Sequence, residues 1–265
     1  MEGLKDRSCR PHHIQYHVPK EIVQAIVMLR YQRGYGAPRM SLYLRKKYGW
    51  FVSAPTIWRI YKHHRISKLR YKKHWQRYPQ KYSKALPGER LQMDVKFLEH
   101  IAGLGKRYYQ FTAIDDCTRY RVLRIYDHNT VANATEFVEE VRKALPFAIQ
   151  QVQTDNGKEF SEQFSWYLED LGIEHRKTKV HSPEENGKVE RSHRTDEEEF
   201  YRTKRFVSIK HCIQLLREWE KEYNEQRPHM ALQGKTPKEY LLDKLQNHFS
   251  AQVFSRTAKT VAEVG

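Results

Sequence analysis

The chain has 265 residues, 39% hydrophobic and 30% charged, with 48 Lys and Arg against 32 Asp and Glu and a formal net charge of +16. That length admits one sizeable core and a small accessory unit, and 17 Tyr, 11 Phe and 5 Trp supply the apolar volume to fill it, which excludes a disordered polar chain. No stretch approaches the ~18 apolar residues of a membrane span, and the amino terminus has no signal-like apolar run. Cys9, Cys117 and Cys212 form neither a CxxC pair nor an even disulfide framework, so a cytoplasmic protein with inert thiols and no structural zinc is expected.

In chain order, Ile22, Val23, Ile26 and Leu29 recur at helical spacing between Lys20 and Arg33, and Gly34 and Gly36 stop the run. A second helical pattern carries Met40, Leu44 and Tyr48 and stops at Gly49. Ser53 can cap a third, which bears Ile57, Ile60 and Tyr61. Three short helices with tight turns resemble a helix-turn-helix, assigned to residues 1–70. Its third helix would offer Thr56, Arg59 and Lys62 to DNA, while a plain helical bundle with a basic surface is the alternative. Residues 59–84 then hold ten Lys or Arg and no acid, interleaved with aromatics, and read as a basic linker, assigned to 71–88, with Ala85, Leu86, Pro87 and Gly88 marking its boundary. Residues 1–90 carry 21 Lys and Arg against 4 Asp and Glu, leaving 27 against 28 for the remainder. A solvated surface does not predict such segregation, whereas binding to nucleic acid does.

Beyond the linker the pattern turns to short strands: LQMDVKFLEH, RYYQFTAID and YRVLRIYDH. A helix from Val131 to Leu145, the strand AIQQVQTD, a helix closed by Gly172, the strand IEHRKTKV and a mainly helical remainder follow. Strands first paired antiparallel and then crossed over by helices imply an α/β mixed sheet with flanking helices over 89–247, with 248–265 as a tail.

Asp94 sits mid-strand between Met93 and Val95, where burial disfavours an acid, and Asp155 ends the fourth strand at the Asn156–Gly157 turn. If those strands are neighbours the two carboxylates stand side by side, a repulsion that a divalent cation relieves. In HSPEENGKVERSH, Ser182, Pro183 and Glu185 resemble a capping box, which gives Glu184 and Glu185 a structural role and leaves Glu190 free; a helix starting after Asn186 and Gly187 keeps Glu190 in its first turn. Asp115 and Asp116 read as turn residues, and Glu159 divides between approaching a metal and a surface role.

QMDVKF around Asp94, QTDNGKEF around Asp155, SPEENGKVERSHRT around Glu190, and YNEQRPHMALQGKTPKEY from Tyr223 to Tyr240 together resemble the bacterial insertion-sequence transposases whose catalytic core is similar to retroviral integrase. The resemblance implies an RNase H-like fold and two Mg²⁺ or Mn²⁺ ions. Asp94 would bridge both ions, with Asp155 on one and Glu190 on the other. It further implies metal-dependent cleavage and joining of DNA at transposon ends, a homo-oligomer of at least two chains on DNA, and nucleoid association. Lys158, Lys188, Arg191 and Arg194 are candidates to hold the DNA backbone. The paired His and paired Cys of the retroviral amino-terminal zinc site are absent despite His12 and His13, so no zinc is expected. Members of the bacterial family often carry a further helical DNA-binding segment ahead of this one, and on that comparison the chain reads as a shortened or partial product. A regulator that keeps the fold, or a nuclease that cuts without joining, are the rival readings.

Overall fold

Alternation in LQMDVKFL sets the geometry of the whole sheet, because successive strand side chains point to opposite faces. In the computed structural model, which describes residues 18–66, 83–98, 106–178 and 186–247, this segment is strand β1 (Leu91–Leu98). Leu91, Met93 and Val95 enter the main core, leaving Gln92, Asp94 and Lys96 for the other face. β2 (Tyr108–Asp115) pairs antiparallel with β1, and β3 (Arg121–Tyr126) antiparallel with β2. A crossover through helix α4 (Val131–Ala144) then delivers β4 (Gln151–Thr154) parallel to the other side of β1, and α5 (Glu162–Asp170) returns the chain to β5 (Glu174–Lys177), parallel to β4. The order β3-β2-β1-β4-β5 is the mixed sheet with flanking helices expected from the sequence.

α4 and α5 cover the core face, where Phe111, Phe137, Val138, Phe160, Phe164 and Leu168 are all buried. On the other face lies α6 (Gly187–Glu199), packed on β1 and β2, while α7 (Ile209–Glu225) runs along the outer edge of β3. That edge would otherwise present unpaired backbone groups. Asn224 closes it by accepting from the Arg121 N–H at 3.0 Å and donating to the Arg121 carbonyl at 2.8 Å, and the Glu220 carboxylate accepts from the Leu123 N–H. A last helix, α8, spans 237–247. No helix among the described residues is long and apolar enough to cross a membrane.

The amino-terminal helices form as read: α1 (Lys20–Arg33), α2 (Ala37–Tyr48) and α3 (Ala54–His63), around their own core of Ile26, Met40, Tyr43, Leu44, Ile57 and Tyr61. Ser53 caps α3 by accepting from the Thr56 N–H. Charge pairs join this unit to the sheet domain, Arg33 to Glu222, Arg39 to Glu199 at 3.5 Å and Lys46 to Glu239. Most of the basic linker and the tail lie outside the described residues. Residues 83–88 are fastened to the sheet domain by hydrogen bonds: Ser83 and the Lys84 N–H bond to Asp116, and the Gly88 N–H bonds to Asp115. Gly88 takes φ +81°, and a Cβ there would lie 2.1 Å from the Ala148 carbonyl oxygen, so the chain passes the segment ahead of β4 at this point only without a side chain.

Candidate active site

The β1–β4 register places Leu91 beside Val152 and Gln92 beside Gln153. Two residues further along each chain stand Asp94 and Asp155, so neighbouring parallel chains carry the two carboxylates to the same edge of the sheet. Asp155 follows β4 directly and is exposed, with Oδ1 accepting from the Gly157 N–H at 2.9 Å. Asp94 is more enclosed, with a side chain 19% exposed and Oδ1 held by the Val95 N–H at 2.8 Å.

The even-numbered face of β1 runs along α6 as a ladder. Gln92 meets the backbone of Lys188 and Val189, Asp94 Oδ2 lies 3.4 Å from His193 Nδ1, and Lys96 pairs with Glu197 at 2.7 Å. The spacing matches because two strand residues advance about 6.6 Å and four helix residues about 6 Å. Glu190 stands in the first turn of α6, exposed and on the flank of this ladder. The helix begins at Gly187, so of the two starts open from sequence the later one is seen; Ser182, Pro183, Glu184 and Glu185 lie outside the described residues.

These groups act on one another electrostatically. Burial, then the Asp155 carboxylate, then Glu190 and Glu159 push the Asp94 carboxyl from an ordinary 3.8 up to about 7. Burial also raises Glu190. Desolvation pushes half-buried His193 down to about 4, so it is neutral at neutral pH and its approach to Asp94 is not an ion pair. Its Nε2 is buried without a hydrogen-bond partner. Among the described residues no three carboxylate, imidazole or thiol groups are drawn together closely enough to hold a metal ion as they stand. The donor set nonetheless suits a hard divalent cation, being carboxylate oxygens whose repulsion of Asp94 such a cation relieves.

The same shift makes stability depend on pH. The unfolded chain releases the Asp94 proton near pH 4 and the folded chain near pH 7, so between those values the folded state holds more proton and loses stability as pH rises. Above pH 7 the Asp94 charge then opposes folding by on the order of 2–4 kcal/mol. Asp94→Asn is expected to raise the melting temperature at pH 8 in the presence of a chelator and to leave it nearly unchanged at pH 4, which thermal unfolding at the two pH values checks.

The structure narrows the open reading of Glu159 and adds to that of two turn acids. Glu159 is buried, not superficial, and its carboxylate lies over Gly157, where a Cβ would come within 2.7 Å of it. Asp115 and Asp116 are buried anchors as well as turn residues. Asp115 accepts from the Gly88 and Thr118 N–H groups and the Thr118 hydroxyl. Although burial pushes Asp116 up, the Lys188 hydrogen bond and charge hold it below its ordinary value. That pairing turns Lys188 inward, away from the position of a DNA-backbone contact: its ammonium lies 2.5 Å from Asp116 Oδ1 and 3.0 Å from the Asp116 carbonyl. Lys158 and Arg191 are exposed, and exposed Arg194 pairs with Glu198 on its own helix. Arg59 and Lys62 are exposed on α3 beside Trp58, whereas the Thr56 hydroxyl bonds to the Ser53 cap at 2.9 Å. Sequence reasoning misses Gln92, although its i, i+2 spacing from Asp94 puts it on the same strand face.

Two family models described as integrase core domain match residues 84–183 and 171–237. The putative integrase ORF3 of Spiroplasma virus SpV1-C74 is 30% identical over 169 residues, 57% of this chain and 47% of that protein, so the chain spans about half the length of this relative. An uncharacterized 31.7 kDa protein of insertion element IS407 from Burkholderia multivorans is 25% identical over 84% of this chain and 82% of that one. Among solved structures, a chain of the simian T-cell lymphotropic virus intasome, determined in complex with PP2A regulatory subunit B56 gamma, aligns with TM-score 0.50 and 14% identity over 82% of this chain and 74% of that one. The catalytic core domain of BIV integrase aligns over 61% of this chain and 99% of that one, with TM-score 0.47 and 19% identity.

Proposed function

We propose, from the premise that the chain belongs to the integrase core domain family, that it is an insertion-sequence transposase, cleaving and joining DNA strands at transposon ends. In this reading Asp94, Asp155 and Glu190 are the metal-binding carboxylates. The observation that supports it is the parallel β1–β4 register, which puts Asp94 and Asp155 at the same sheet edge with Glu190 in the first turn of α6, so that their charges add to the burial that raises Asp94 to about 7. Bound there, two Mg²⁺ or Mn²⁺ ions would supply the positive charge that activates an attacking oxygen and offsets the charge building on phosphorus.

The chain's own groups supply the rest. Asp94, the most enclosed of the three, is the shared anchor, and exposed Asp155 and Glu190 open the site toward a bound duplex. Neutral His193 closes the back of the site beside Asp94 without adding a competing cation. Lys158, Arg191 and Arg194 stand near enough in sequence to these carboxylates to hold phosphates, and α3 reads the DNA through Arg59 and Lys62 as a helix-turn-helix. Joining two ends calls for at least two chains on DNA.

Incubating wild type with a labelled duplex that carries the element's end separates the readings. Joined strands that require Mg²⁺ or Mn²⁺ support a transposase, cut strands alone indicate a nuclease, and binding without breakage sinks the catalytic reading. Replacing Arg59 and Lys62 together by Ala is expected to weaken binding and to flatten the logarithmic salt dependence by about 0.9 for each phosphate no longer neutralised. A titration at several salt concentrations checks it, and an unchanged slope would remove α3 from the interface.

A further inference from the structure

Gln92 is a buried amide, 2% exposed, at the start of β1, two residues before Asp94 and on the same face. Its Oε1 accepts from two backbone donors of the first turn of α6, the N–H groups of Lys188 at 3.1 Å and Val189 at 3.2 Å. Its Nε2 donates to Asp116 Oδ1 at 3.1 Å. Asp116 is fully buried, and its carboxylate also meets Arg90 at 3.2 Å and the Lys188 ammonium. Lys188 is therefore tied twice, by its backbone to Gln92 and by its side chain to the acid that Gln92 holds.

The first N–H groups of a helix have no partner within it, and a buried amide must bond both its ends. Each satisfies the other here. If packing alone were needed, an apolar side chain would fill this place without the desolvation cost of an amide. What the polar arrangement adds is register: one side chain joins the strand that carries Asp94 to the helical turn that carries Glu190. The two segments lie almost a hundred residues apart in sequence, so local chain connection cannot set that register.

We propose that Gln92, held by Asp116 and Lys188, is a positioning residue that sets Glu190 relative to Asp94 and so builds the cation site. This rests on the reading that these carboxylates act together. Gln92→Met keeps the side-chain length but removes the acceptor and the donor. The paired change Gln92→Glu with Asp116→Asn reverses the donor and acceptor between the two positions, keeps the net charge, and restores an oxygen to the α6 amides while moving the negative charge from residue 116, beside Arg90 and Lys188, to residue 92.

Three quantities decide it: hydrogen exchange of the Lys188 and Val189 amides, Mn²⁺ affinity of the folded protein, and strand cleavage of a labelled DNA end. In Gln92→Met the two amides are expected to exchange at least about tenfold faster, with Mn²⁺ affinity and cleavage both falling about 10–100-fold and DNA affinity unchanged. The paired variant is expected to recover most of the amide protection, which a merely space-filling role would not produce. Faster exchange with unaltered Mn²⁺ affinity, or no recovery in a folded paired variant, would overturn the proposal. A wild type that never cleaves DNA would refute the transposase reading, while exchange and Mn²⁺ affinity would still decide the role of Gln92.

Discussion

Asp155→Asn is expected to lower metal-dependent strand transfer by about 10³-fold or more while leaving binding to the DNA end intact. The substitution is nearly isosteric, and the amide oxygen can still accept from the Gly157 N–H, so the turn that presents residue 155 is preserved. What disappears is one negative charge beside Asp94, the largest influence on that carboxyl after burial. DNA affinity should survive because the positive excess lies in the first third of the chain, remote in sequence from the carboxylates. Glu190→Gln is expected to behave alike. Glu159→Gln should cost about tenfold or less, since Glu159 acts on Asp94 more weakly than Asp155 or Glu190 does. Gel analysis of joined product under single-turnover conditions measures all three; a Glu159→Gln loss as large as that of Asp155→Asn would reassign the third carboxylate.

The second large effect concerns stability. Asp196→Ala is expected to destabilise the fold by about 3–5 kcal/mol, because it strands a buried charge. Asp196 and Arg121 are both fully buried and meet at 2.7 Å. The same carboxylate accepts from the Trp219 indole N–H at 2.7 Å and from Gln110 Nε2 at 2.8 Å, so β2, β3, α6 and α7 meet on one side chain. Arg121 in turn donates to Ser192 at 2.7 Å and lies 3.4 Å from the centre of the Tyr223 ring. For a chain of this size the melting temperature should fall by roughly 10 °C. Changing Arg121→Met together with Asp196→Leu should recover much of the loss, since no unpaired charge then remains. If the single and paired variants melt alike, the buried pair is not what holds α6 against the sheet.

Much of this architecture is legible in the sequence because its signals are periodic. The alternation of LQMDVKFL gives β1 and both its faces, and the helical spacing from Lys20 to Arg33 gives α1 to the residue. In the sequence the neighbour relation of Asp94 and Asp155 is conditional, and the parallel β1–β4 register supplies the condition. Gln92, Asp116 and the inward turn of Lys188 are not legible, because each depends on a partner distant in sequence. A glutamine in a strand and an aspartate in a turn look ordinary until the helix above them is placed. Glu159 is hidden for a related reason: its burial follows from a single helical turn packed over Gly157, too short to leave a periodic trace.

Whether Asp94, Asp155 and Glu190 form one cation site is tested most directly by titrating Mn²⁺ into the folded protein. The loss of the free-ion resonance would be followed for wild type and for Asp94→Asn, Asp155→Asn and Glu190→Gln. Saturable uptake by wild type, weakened about tenfold or more by each substitution, is the expected result. Equal uptake by wild type and all three variants would contradict it and place the cation elsewhere.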